Sequence, residues 1–206
     1  MIDFDLVRHG RLELNDLARG LTLAALAAAS RAMTADLIGR LRAGIDEDVT
    51  FVPDDPGADD SFAVDAAEAG LAWTLGHVIV HVTASAEEAA CLAAELARGV
   101  EHHGRSRYEV PWPTIVTIEA CRDRLRESER MILATLGTWP GEPHLEVAYT
   151  TSRGSLRNAP ARFLGGLLHA DSHRGQVSEI LRQASVARAS SASAETAPGD
   201  RPVSCG

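Results

Sequence analysis

The sequence predicts an all-α protein, a four-helix bundle with long crossover loops between its helices. Four segments combine helical composition with apolar residues at helical spacing: 15–44, 73–100, 114–137 and 159–187. Proline and glycine separate them, in PDDPGADD at 53–60, PWP at 111–113 and WPGEP at 139–143. Because these residues end helices, they support the boundaries that the apolar spacing indicates.

The first segment, 15–44, is Ala-rich and is expected to form a single helix. The connection after it, 45–72, is long for a compact helical protein, and VDAAEAG at 64–70 could form a short helix within it. The second connection, 138–157, is also long, and HLEVAY at 144–149 could be a short extended piece. Loops of this length often have a function or cross the bundle.

The fourth helix has the clearest start. Asn158 can cap its first turn, and Pro160 then falls where a missing N–H costs little. With 206 residues, the chain suits one domain, predicted over 1–187. The residues after it, 188–206, are small and polar without periodicity, and we expect a disordered tail.

Charge and hydropathy exclude several classes of function. The net charge of −9 argues against a nucleic-acid partner, since such proteins need cations to replace counterions on the phosphates. No apolar run approaches the roughly 20 residues that span a bilayer, and no secretory signal is evident, so a cytoplasmic protein is expected. All 20 basic residues are Arg, which with the abundant Ala suggests a GC-rich genome.

The cysteines do not indicate a zinc site. Cys91, Cys121 and Cys205 share no CxxC-type spacing, so we expect reduced thiols. Cys91 and Cys121 fall on predicted core helices and should be buried.

Two histidine pairs are the candidates for chemistry. His169 and His173 lie four residues apart on the fourth helix, so their imidazoles share one face and could bind one ion. His77 and His81 repeat this spacing among valines and isoleucines on the second helix. A single pair of this kind is more often structural or solvated, but two pairs on core helices favour a shared metal.

The neighbours of His169 leave alternatives open. Gly165 and Gly166 lie on the same stripe and indicate either close helix packing or room for a ligand, at a cost of about 1 kcal/mol each. Gln176 could orient a ligand or a bound water. Arg174 points to the side, where it could hold an anionic substrate group, although a surface ion pair is favoured.

Together these residues resemble the DinB-like superfamily, which includes mycothiol-dependent maleylpyruvate isomerases and bacillithiol and mycothiol S-transferases. The resemblance rests on Trp73-Thr74 followed by His81, and on HADSHRGQ at 169–176. It implies a four-helix bundle with zinc or nickel held by His81, His169 and His173, and it leaves His77 outside the ligand set. Some relatives have Glu in place of His169, so three histidines suit the transferase and metal-binding branches better than the isomerase branch.

The resemblance implies a function for such a centre. Three imidazoles leave an open coordination position, and a metal there can hold a low-molecular-weight thiol in its deprotonated form. The leading hypothesis is a metal-dependent thiol S-transferase acting on a small-molecule electrophile, with mycothiol favoured by the GC-rich composition. The alternatives are an isomerase, a hydrolase in which Glu88 is the nearest carboxylate, and a metal-binding protein without activity.

Other residues are weaker candidates. His102 and His103 fall beyond the second helix, where exposed histidines are common, so neither is expected to be a ligand. Tyr108 and Trp112 could line a pocket, although packing against the bundle is favoured. Bundles of this type often pair through a helix face, which makes a homodimer plausible.

Overall fold

A computed structural model of the chain describes residues 2–59, 69–106 and 108–195. These ranges are mostly helical with one pair of short strands, which confirms the all-α prediction. In chain order the elements are α1 (Asp5–Arg8), α2 (Leu14–Ala18), α3 (Leu23–Arg40), α4 (Asp46–Val49), α5 (Leu75–Ala97), α6 (Ile118–Leu136), β1 (Ala148–Thr150), β2 (Leu156–Asn158) and α7 (Ala159–Glu195), with 3₁₀ turns at Leu41–Ala43 and Trp112–Thr114.

Four long helices form the framework. α5 packs against both α6 and α7, and α3 also contacts both of these helices, so the four enclose one core. α5 is the most buried of them, because its Ala and Val residues are apolar around almost the whole helix. No helix in the described ranges is long and apolar enough to cross a membrane.

Polar side chains fix where the long helices begin. Thr22, Thr74 and Thr117 each accept a hydrogen bond from the backbone N–H three residues later, at the starts of α3, α5 and α6. Asn158 does the same for α7, at 3.2 Å from the N–H of Ala161, which confirms the predicted cap. A cap of this kind stabilises a helix by roughly 1 kcal/mol.

The prediction of one helix over 15–44 is wrong. The chain forms α2 and α3 instead, separated by a turn in which Gly20 adopts a φ of +76°. That left-handed conformation favours glycine and cannot continue a helix. The Thr22 cap then starts α3 in a new direction.

The connections and the C-terminal end differ in part from expectation. β1 overlaps the predicted extended piece at 144–149, and it pairs antiparallel with β2, which the sequence does not predict. α7 continues to Glu195, eight residues into the predicted tail. The short helix predicted at 64–70 falls mainly on residues outside the described ranges, as do residues 196–206, for which disorder stays a prediction.

Candidate metal centre

Three histidines from two helices meet in the interior of the helical framework. His81 of α5 and His169 and His173 of α7 each offer one ring nitrogen, and these atoms all lie within 4.8 Å of one another. Each of the three side chains is partly buried. The group could hold a metal ion, and it consists of the same three residues that the sequence motifs indicate.

Close packing of α5 on α7 brings these histidines together. A Cβ on Gly166 would lie 2.5 Å from the Cβ of Ala89 and 3.1 Å from the Cα of Ala86, so only glycine permits this approach. Gly166 therefore serves helix packing rather than leaving room for a ligand. At Gly165 a Cβ would meet only ordinary contacts, the nearest of them at 3.8 Å.

The loop between α5 and α6 also reaches this centre. A Cβ on Gly76 would lie 2.5 Å from the carbonyl oxygen of Ile115, so the segment around Ile115 rests directly on the first turn of α5. This contact explains the glycine in WTLGH. It also brings Glu109 to His81 and Trp112 to His77.

Two acceptors fix the orientation of two imidazoles. The Nδ1 atom of His81 lies 2.8 Å from Oε1 of Glu109, and Nδ1 of His173 lies 2.7 Å from Oε1 of Gln176. Since both oxygens only accept, each Nδ1 donates its hydrogen and each Nε2 retains a lone pair. Metal-binding histidines in proteins are held by acceptors in the same manner.

The third imidazole faces the first. Nε2 of His169 lies 2.8 Å from Nε2 of His81, so without a metal His169 donates to the His81 lone pair. Two nitrogens bound tetrahedrally to zinc at 2.0–2.1 Å are about 3.3 Å apart. For this pair of nitrogens, an increase in separation of roughly half an ångström would match zinc ligation, and three imidazoles are a zinc-type donor set.

Burial favours the neutral form of two of the imidazoles, those of His169 and His173. It lowers the pKa of His169 to about 3, with smaller contributions from the neighbouring His173 and His81. It also lowers the pKa of His173 from its ordinary value, although the Gln176 hydrogen bond opposes the shift. Metal ligation requires a neutral imidazole, so the environment of these histidines favours the ligating form.

An aromatic stack covers one side of the centre. The Trp73 ring lies 4.5 Å from that of His81 and 5.9 Å from that of His173, measured between centroids. His77 is sandwiched between Trp73 at 4.5 Å and Trp112 at 4.8 Å, nearly parallel to both. His77 thus lies outside the three-histidine group, and its ring supports that of Trp73. Trp112 packs on the His77 ring.

A cleft of about 180 Å³ opens beside His173. Its lining combines Trp73 and Leu71 with polar groups, and the residues are Asp55, Gly57, Ala58, Asp59, Leu71, Trp73, His173 and Gln176. The loop that forms one wall is tied to α7, because Gln183 accepts from the backbone N–H of Asp54 and donates to its carbonyl oxygen. A small molecule could therefore approach the centre from this side.

The other charged or polar residues considered for binding or catalysis form ion pairs with residues outside the three-histidine group. Arg174 forms ion pairs with Asp36 and Asp171, each at 2.7 Å, which favours the ion-pair interpretation over substrate binding. Glu88 pairs with Arg105, and His103 with Glu95.

Of the weaker aromatic candidates, His102 stacks on Tyr149 with centroids 3.9 Å apart, and Tyr108 is largely exposed.

The two cysteines in the described ranges differ in their burial. Cys121 is buried as predicted, and burial raises its pKa to about 12. The prediction that Cys91 is buried is wrong, because it lies on the narrow side of α5 that faces solvent. Cys205 lies outside the described ranges.

Glu109 is the residue at the centre that sequence reasoning missed. It lies in an irregular segment 28 positions from His81, where no periodicity relates the two residues. The only local signal is its place just before Pro111 and Pro113, which indicates a defined loop without indicating what the loop contacts.

Comparison with known proteins does not assign a family. No protein-family model, curated protein or solved structure matches the chain. The DinB-like resemblance therefore stays a prediction from the motifs.

Proposed function

We propose that the protein binds a divalent transition-metal ion, most suitably Zn²⁺, through Nε2 of His81, His169 and His173. Imidazole nitrogen suits zinc and nickel, and three protein ligands leave a position for an exogenous molecule. The observation that carries the proposal is the convergence of three imidazoles, two of them oriented by Glu109 and Gln176.

The proposed reaction is the transfer of a low-molecular-weight thiol to a small-molecule electrophile. When bound, the metal ion would hold the thiol as its nucleophilic thiolate, whereas a free thiol with a pKa near 8.5 is only a few per cent deprotonated at pH 7. Sulfur would form a bond to an electrophilic carbon, and the leaving group would depart with the bonding pair.

The cleft supports a thiol of a particular kind. Trp73 offers an apolar wall, while Asp55, Asp59 and Gln176 add side-chain oxygen atoms to the lining. Mycothiol is rich in hydroxyl groups, which donate hydrogen bonds to such acceptors. The all-Arg basic composition, which suggests a GC-rich genome, also favours mycothiol over bacillithiol.

A DinB-like four-helix bundle is the fold that we propose for this chemistry. Its support is the mutual packing of α3, α5, α6 and α7, together with the two histidine motifs that the close contact at Gly166 brings face to face. The family assignment and the function remain separable, because one fold can support several reactions.

The deciding experiment measures thiol transfer directly. Zinc-loaded protein is mixed with mycothiol and monochlorobimane, and adduct formation is followed by fluorescence beside a protein-free control. We expect a rate well above that control, lost after chelation and in His173→Ala. A rate equal to the protein-free control with fully metal-loaded protein would reject the transferase proposal.

A hydrolase or a metal-binding protein without activity would give different results when activity and metal content are measured. An ester hydrolysed by the zinc-loaded protein without any thiol would favour a hydrolase, with Glu109 as the nearby carboxylate. Stoichiometric metal binding without either activity would favour a metal-binding protein. Absence of metal binding at all would reject the centre itself.

A further inference from the structure

Arg162 is a mostly buried cation for which the described residues provide no counterion. Its residue is 9% exposed, in the first turns of α7, and its Nε has no hydrogen-bond partner. Across the residues that the structure describes, the guanidinium takes part in no hydrogen bond and no ion pair. One of its terminal nitrogens, Nη1, lies 3.8 Å from the position that a Cβ on Gly165 would take.

The surroundings disfavour the charged form on balance. Burial lowers the pKa of Arg162, and so do the charges of Arg105 and Arg157, while Tyr149 and Glu88 oppose the shift. The positive end of the α7 dipole adds to this, since cations are disfavoured near a helix N-terminus. Glu88 is the nearby carboxylate, and it already pairs with Arg105 and accepts from Ser106.

A second buried polar atom in the same neighbourhood has no hydrogen-bond partner among the residues that the structure describes. Nδ1 of His102 is buried without a hydrogen bond, and its ring stacks on Tyr149 of β1. His102 and Tyr149 both lie close enough to Arg162 for their ionisation and its own to interact. Buried polar groups are nearly always satisfied in native proteins. The Nε of Arg162 can only donate and needs an acceptor, and Nδ1 of His102 can donate to the same acceptor when it carries the ring hydrogen.

We propose that Arg162 binds the carboxylate of a small-molecule ligand, with His102 beside it. The planar guanidinium presents paired N–H groups that match the two oxygens of a carboxylate. The anion would neutralise a cation that no side chain in the described ranges neutralises. Arg162 precedes His169 by seven residues, about 10 Å along α7, and it is not one of the three residues proposed to bind the metal.

The test uses the full chain after chelation, so that it does not depend on the metal. Melting temperature and isothermal titration are measured with succinate and with chloride at equal ionic strength, for the native protein, Arg162→Met and Arg130→Met. Arg130 is the control because it is an exposed arginine of α6 paired with Glu127. Met replaces the buried side chain at similar length without charge.

We expect succinate to raise the melting temperature of the native protein and of Arg130→Met. Arg162→Met should bind succinate at least about tenfold more weakly, while melting no lower than the native protein without ligand. Arg162→Gln provides the same comparison if the Met variant does not fold.

Three results would overturn the proposal. The first is an unchanged succinate response in both Arg162 variants. The second is no succinate response in the native protein. The third is a native protein that binds inorganic phosphate but neither succinate nor acetate, which would assign the cation to a different class of anion.

Discussion

Two groups of polar side chains on α7 face different directions and are satisfied in different ways. On one side, Asp171 and Arg174 belong to an ionic network in which each carboxylate contacts arginine and each arginine contacts carboxylate; its other members are Arg8, Asp36 and Arg40. On the other side, His169 and His173 direct ring nitrogens toward His81. Every charge in the network contacts an opposite charge, whereas in the histidine group an added cation would replace the hydrogen bond between His169 and His81.

The ionic network therefore stabilises the fold, whereas the histidine group is the part of the molecule that could bind an ion. The ionic network joins α1, α3 and α7, because Arg8 reaches Asp171 and Arg40 reaches Ser178 and the carbonyl of Arg174. The histidine group has its own supporting residues, Glu109 and Gln176, and these orient ligands rather than neutralise charge. Substitutions in the two groups should therefore affect different measurements.

The largest effect is expected for His81→Ala. Removal of one of three ligands should weaken zinc binding by more than about 100-fold, beyond the 10–100-fold typical of residues that only orient a ligand. Metal content after purification and chelator competition measure this, and His144→Ala, at an exposed histidine, is the control. Full metal retention in His81→Ala would move the third ligand to His77 or elsewhere.

Glu109→Ala tests the orienting role by itself. The His81 imidazole would lose the acceptor that fixes its Nδ1 hydrogen, so zinc affinity should fall about 10–100-fold with the fold intact. Glu146→Ala is a matched control, because Glu146 also lies 2.8 Å from a histidine Nδ1, that of His144 away from the centre. Equal affinities in the two variants would show that Glu109 does not support the ligand.

Asp171→Ala should change stability and leave metal affinity nearly unchanged. Its carboxylate is 5% exposed and holds both Arg8 and Arg174, so the free energy of unfolding should fall by about 1–3 kcal/mol. Chemical denaturation measures this. Asp123→Ala is the control, since that exposed pair with Arg126 should contribute within about 0.5 kcal/mol. A large loss of zinc affinity in Asp171→Ala would mean that the two groups are coupled.

Acidification should destabilise the metal-free protein through the histidine group. Burial lowers the pKa of His169 to about 3, against 6.5 ordinarily, so between these values the unfolded chain binds a proton that the folded chain does not. The free energy of unfolding then falls as pH falls, by about 1.4 kcal/mol per pH unit for one such group. Denaturation at pH 7, 6 and 5 should show a shallower dependence in His169→Gln than in His144→Gln; identical slopes would contradict the assignment.

The residues that the sequence predicts best are those related by helical spacing. His169 and His173 share a face because they are four residues apart, and Asn158 caps α7 through a local hydrogen bond. Glu109 could not be found, since its contact with His81 joins a helix to an irregular loop. Cys91 was misplaced because α5 is apolar around nearly its whole circumference, so hydropathy does not reveal its exposed side.

The roles of the glycines also could not be predicted from the sequence. The choice between close packing and ligand space at Gly165 and Gly166 depends on how near α5 approaches α7, and only coordinates contain that distance. The break at Gly20 depends on one backbone dihedral angle, which the surrounding helix-forming composition does not indicate.

The aromatic stack over the histidines has a spectroscopic consequence. Indole emission responds to nearby charge, and the centroid of the Trp73 ring lies 4.5 Å from that of His81. Occupation of the centre by a cation should therefore alter the intrinsic fluorescence of the native chain. The protein contains its own optical probe, and a titration can follow ligation of the centre without any label.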